Sequence, residues 1–180
     1  MTSAQQHLSR TLPAAVYMLA LMWALYFIDL LFLDMSHWGI YPRSVQGLFG
    51  IISAPWLHNG LYHLISNSLP FVILCTLVQW KTPGNFWRIT GFIVIGSGIG
   101  TWLFGSAGNH LGASGLVFGY WAFLITSAYY QRTFKSIAIA VITILFYGGL
   151  VFSLLDLRTH ISWTGHVFGA IAGFCAAKWR

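Results

Sequence analysis

Apolar residues in this chain come in blocks about twenty residues long, and short segments between the blocks hold most of the charge. A block of that length is what a helix needs to cross the hydrocarbon core of a bilayer. Six blocks stand out, at about 13–33, 61–80, 86–104, 114–131, 135–155 and 161–179. They predict an all-α polytopic bundle of six transmembrane helices, read as one domain over 1–180. The six blocks take up about two thirds of the chain, which leaves no room for a soluble domain at either end. The first block follows Arg10 like a signal peptide, but its apolar stretch is longer than an ordinary signal core and no convincing cleavage site follows. The only long connection, 34–60, mixes aromatic and aliphatic residues with Gly, Pro and polar residues, as expected of a segment lying in the membrane interface.

Composition agrees with that pattern. Hydrophobic residues make up 57% of the chain and charged residues 7%, against about a quarter charged in soluble domains. A net charge of +6 is carried by scattered Lys and Arg rather than a basic stripe, which argues against nucleic acid as a partner. Lys and Arg collect in cytoplasmic loops. Arg10, Lys81, Arg88, Arg132, Lys135, Lys178 and Arg180 fall on one side, and Arg43 and Arg158 on the other. Both termini are therefore expected in the cytoplasm. Trp80, Trp87 and Trp179 would mark the inner interface, and Trp38, Trp56 and Trp163 the outer one. Cys75 and Cys175 lie inside apolar runs without a motif and read as packing residues.

Polar residues inside spans are costly, so each is a functional candidate. The second, fourth and sixth blocks would all run inward from the outer side. His63 and Asn67, four apart on one helical face, begin the second; Ser114 begins the fourth; His166 is the sixth residue of the last. Three helices thus bring polar side chains to one outer layer. Gly115 and Gly119 form a small-residue face beside Ser114, and Gly165, Gly169 and Gly173 form another beside His166. Such faces let two helix backbones approach closely, whether for packing alone or to position the neighbouring polar groups.

The pieces HNGLYHLISN at 58–67, GASG at 112–115 and GHVFGAIAG at 165–173 resemble, in order and in placement, the rhomboid family of intramembrane serine proteases. The resemblance covers nearly the whole chain and implies a rhomboid-like bundle. It makes Ser114 the nucleophile and His166 the general base. His63, Asn67 and the Ser114 backbone N–H would surround the oxyanion. Gly112, Gly115, Phe118, Gly169 and Gly173 would support the site, with Phe118 where the family usually stacks an aromatic on the catalytic histidine. His58 matches a recurrent histidine of structural role. The family's Trp-Arg pair in the first outer loop aligns near Phe49 and Gly50, and neither fits. The absence of a soluble N-terminal domain and of a seventh span suggests a minimal form in a bacterial inner membrane.

The chemistry can be followed independently of the family. A serine hydroxyl needs a base, and none of the three acidic residues, Asp29, Asp34 and Asp156, is placed to orient His166. That predicts a Ser–His dyad held by packing on Phe118, with no cofactor and no metal. Leu116 stands where a soluble nucleophile elbow requires glycine. Amides at the helix start and the Asn67 side chain would stabilise the oxyanion, one such donor being worth about 3 kcal/mol. Substrates would be transmembrane segments of other proteins, entering from the lipid bilayer and unwinding locally. Gly148 and Gly149 read first as packing residues of the fifth span, with mobility as a gate the alternative. A catalytically inactive relative that binds membrane clients is the alternative. A transporter would spread ionisable groups through the depth of the bilayer. A metal site of His58, His63, His110 and His166 lacks supporting carboxylates and a cysteine pair. His7, His37 and His160 read as ordinary loop or interfacial histidines.

Overall fold

The computed structural model of the chain describes residues 3–153 and 162–179. Among these residues the regular structure is helical, apart from one isolated antiparallel bridge between Ile40 and His110. Helices occupy all six apolar blocks: α1 (Ser3–Leu31), α3 (Leu61–Lys81), α4 (Phe86–Phe104), α5 (Ser114–Gln131), α6 (Phe134–Tyr147) and α8 (Trp163–Ala176). Two further helices are short, α2 (Gln46–Ser53) in the first long connection and α7 (Leu150–Ser153) after α6. By length and composition alone, Ala14–Leu31 and Leu61–Lys81 are long and apolar enough to cross a membrane. Asp156, Arg158, His160 and Arg180 lie outside the described residues, as does the end of the fifth block.

Local chemistry sets the helix ends. Gly60, at φ 99°, supplies the left-handed backbone ahead of α3. Arg132 adopts a left-handed conformation to close α5, and the Thr133 hydroxyl then accepts the Ser136 N–H to start α6. The fifth block is not one helix. It breaks at Gly148–Gly149, because two consecutive glycines each cost roughly 1 kcal/mol of helix propensity relative to alanine. The first helix begins ten residues earlier than its apolar block.

α5 sits at the centre, packed against α3, α4, α6 and α8. Its Leu116, Tyr120, Phe123 and Leu124 are buried with Phe71 and Leu74 of α3 and Ile89 and Ile93 of α4. The wholly buried Tyr120 hydroxyl shares a 2.8 Å hydrogen bond with Thr90, so the core's largest polar group is satisfied. Along α8 the contact is backbone on backbone. A Cβ on Gly169 would stand 2.2 Å from the Gly115 carbonyl oxygen, and one on Gly173 would stand 2.0 Å from that of Gly119. Cys75 is buried in this core, whereas Cys175 is exposed on the outward side of α8, so only the first is a packing residue.

The first long connection folds onto α4. Arg43 N–H donates to the Trp102 carbonyl, the Arg43 guanidinium to the Leu103 and Gly105 carbonyls, and Trp102 Nε1 to the Ser44 carbonyl. Val45, Leu48, Phe49 and Ile52 face outward from this segment. A Cβ on Gly50 would stand 2.2 Å from the Gly39 carbonyl oxygen, so this loop as folded has no room for a side chain at that position.

Candidate active site

Ser114 is the first residue of α5 and is half-buried. Ala113 occupies the capping position without a side-chain bond, so the serine hydroxyl is not a helix cap. The loop before it is fixed from three directions. Gly112, at φ 119°, donates its N–H to the Ala54 carbonyl at 2.9 Å. The His63 ring covers Gly112 so closely that a Cβ there would lie 2.5 Å from the ring. The buried Ala113 N–H donates to His58 Nε2 at 3.3 Å. The opening amides of α5 have no carbonyl one turn back and lie at the positive end of the helix.

His166 stands on α8 and is 8% exposed. Its ring stacks on Phe118, with centroids 4.2 Å apart and planes 15° from parallel. Phe118 lies one turn along α5 from Ser114, and the glycine seam sets the distance between the two helices. Ser114 and Gly165, the residue before His166, line one cavity of about 30 Å³ with Ser97, Thr101, His110 and Ser162. That volume is enough for one or two waters. Ser97 Oγ donates to the Gly165 carbonyl at 3.1 Å, tying α4 to the start of α8.

Asn67 is buried, and its amide donates to the His63 carbonyl at 2.9 Å, which leaves its second N–H uncommitted by that bond. Gly115, Gly169 and Gly173 lie in the seam, and Gly112 lies under His63. The structure therefore stacks His166 on Phe118, one turn along α5 from Ser114, and brings the His63 and His58 rings within 5.2 Å of each other beside the loop. Among the described residues no group of three His, Cys, Asp or Glu side chains could hold a metal ion.

Two histidines do more than their sequence context indicated. Burial pushes the His58 pKa down to about 3, with the neighbouring His63 adding to the shift and the Trp56 carbonyl opposing it. His58 therefore stays neutral at physiological pH and presents Nε2 as an acceptor for Ala113. His110 shares hydrogen bonds with Ser162 Oγ at 2.9 Å and the Ser106 carbonyl at 2.8 Å, and its backbone pairs with Ile40. It joins three inter-helix connections beside the cavity. Only its position in a glycine-rich loop hinted at this, since Ser162 and Ile40 lie far away in sequence.

Fold and pocket together define a helical bundle with outward apolar faces and a serine and a histidine at one end. The comparisons place it more closely. A family model described as the Rhomboid domain matches residues 45–179, and the chain belongs to the rhomboid family. An uncharacterized protein of Mycobacterium tuberculosis (strain H37Rv) is 37% identical over 148 residues, covering 77% of this chain and 62% of the relative. An uncharacterized protein of Mycobacterium leprae is 32% identical over 181 residues, covering 93% of this chain and 72% of the relative. A RHOMBOID-like protein 1 of Arabidopsis thaliana is 24% identical over 139 residues, covering 75% of this chain and 34% of that protein. The chain thus spans about 62% of the length of the first of these relatives.

Proposed function

We propose that the chain is an intramembrane serine endopeptidase whose nucleophile is Ser114 and whose general base is His166. The observation that carries this reading is the Phe118–His166 stack at 4.2 Å, with Phe118 one turn along α5 from Ser114 and the glycine seam holding α5 and α8 close. His166 takes the hydroxyl proton as Ser114 Oγ attacks the peptide carbonyl, then returns it to the leaving amine. The Ser114 N–H, the Asn67 amide and His63 stabilise the oxyanion. Neutral His58 holds the loop so that the amides of α5 point at the developing charge. The small cavity beside Ser114 would supply the water that hydrolyses the acyl-enzyme.

In this reading the six long helices cross a bacterial inner membrane, with both termini in the cytoplasm and the site in the outer leaflet. Large exposed apolar side chains support the membrane setting, among them Tyr17 and Phe27 on α1 and Leu145 and Phe146 on α6. So do cations over aromatic rings at the opposite end from the site: Arg88 over Trp179 at 4.3 Å and Lys135 over Trp80 at 4.1 Å. Substrates are transmembrane segments with helix-destabilising residues near the cut.

Purified protein in liposomes should cleave a model transmembrane substrate, and Ser114→Ala and His166→Ala should each abolish cleavage while the fold persists. Undiminished cleavage by Ser114→Ala would overturn the mechanism, and inactivity of the folded wild-type chain across a substrate panel would favour a client-binding role.

A further inference from the structure

At the end of the bundle opposite Ser114 lies an open cavity of about 500 Å³, lined by Lys81, Thr82, Gly84, Asn85, Gln131 and Thr133. All of its lining side chains except that of glycine are polar, which is unusual in a chain that is 57% hydrophobic. Lys81 is its only lining cation and is half-buried. The ammonium donates to Gln131 Oε1 at 2.7 Å and to Ser136 Oγ at 2.5 Å. Both partners are neutral. An ammonium has three donors, so one remains, on a side chain already held in place by the other two.

Among the described residues no carboxylate side chain pairs with this cation. Asp29 and Asp34 bind the Met35 and Ser36 N–H groups at the other end of α1. The surrounding surface is also cationic, with Arg132 and Lys135 in the connection and first turn that follow α5. A half-buried, uncompensated charge beside hydroxyl and amide groups is a setting in which an anionic oxygen forms a strong, charge-assisted bond. We infer that this cavity binds a phosphate group, supplied either by the headgroup of an anionic phospholipid or by a soluble phosphate. The cavity faces the leaflet whose lipids carry the negative charge. The inference rests on the membrane orientation proposed above and is independent of proteolysis.

The test is native mass spectrometry of the full chain in neutral detergent, titrated separately with dioleoylphosphatidylglycerol, dioleoylphosphatidylcholine and inorganic phosphate. Saturable phosphatidylglycerol binding is expected, at least about tenfold tighter than phosphatidylcholine, in line with one charge-assisted hydrogen bond. Lys81→Gln should weaken it by about tenfold. Gly84→Phe should do the same by filling the cavity, since nothing lies within 4 Å of a Cβ at that position. Gly84→Phe also serves if Lys81→Gln fails to fold. Arg88→Gln, whose side chain lies over Trp179 outside the cavity, should change nothing. Inorganic phosphate that displaces the lipid would identify a soluble source, and lipid binding that phosphate leaves untouched would identify the membrane. Equal binding by the wild type, Lys81→Gln and Gly84→Phe would overturn the inference. Cleavage measured on the same samples keeps the catalytic reading separate: its loss without loss of lipid bears on Ser114 and His166 alone.

Discussion

α8 and α6 both pack on the central helix, and they do so in opposite ways. α8 lays glycines against glycines, so its backbone meets that of α5 and leaves little freedom to slide. α6 buries Ser136, Ile139, Ala140 and Thr143, turns Leu145 and Phe146 outward, and ends at a pair of glycines. The close seam is where His166 stacks on Phe118, one turn from Ser114. On the proposed reading, α6 is the helix beside which a substrate would be admitted. Which neighbour of one helix receives the glycines thus decides where its backbone is approached most closely.

The contrast is broken most strongly at Gly169. A Gly169→Val side chain collides with the Gly115 carbonyl 2.2 Å away, so stability should fall by about 1–3 kcal/mol and cleavage by about a hundredfold or more. Leu145→Ala, on the outward face of α6, should change thermal stability by less than about 0.5 kcal/mol. Equal sensitivity at the two sites in a detergent melt would remove the distinction.

His58→Ala should cost about 1–3 kcal/mol by leaving the buried Ala113 N–H unpaired. The same histidine predicts a pH dependence. Its folded pKa of about 3 lies below the ordinary 6.5. Between those values the unfolded chain takes up a proton that the folded chain refuses. The His58 contribution is therefore complete above pH 6.5 and is lost as the pH falls toward 3. Unfolding measured from pH 8 to 4 should show this slope, and His58→Gln should flatten it.

Phe118→Leu keeps the bulk but removes the ring stack, worth about 0.5–1.5 kcal/mol. It should lower kcat by roughly tenfold with little change in KM, because the base loses its position rather than the substrate its binding. The smallest effect is expected at Gly149, where a Cβ meets nothing within 4 Å. Gly149→Ala should stabilise by about 0.4–1 kcal/mol while slowing cleavage if the break after α6 serves as the entrance hinge. Faster cleavage would show that the break has no such role.

Much of this bundle was legible in the apolar blocks. The bounds of α4 and α5 coincide with theirs, since Asn85, Gly105 and Arg132 interrupt the runs sharply. The start of α1 was not legible, because its first turns are polar and a hydropathy block does not register them. α2 escaped notice because eight residues in a mixed segment leave no clear period. For the candidate site, helix order and depth singled out Ser114, His63, Asn67 and His166. The work of His58 and His110 depends on hydrogen bonds to residues 55 and 52 positions away, and no local pattern encodes such a partner.

The most direct test of the Ser114–His166 pairing is covalent labelling of the folded protein with a fluorophosphonate, read by peptide mass. The account predicts one adduct, on Ser114, formed at least about a hundredfold more slowly in His166→Ala. An adduct on another residue, or labelling of Ser114 at an undiminished rate without His166, would contradict it.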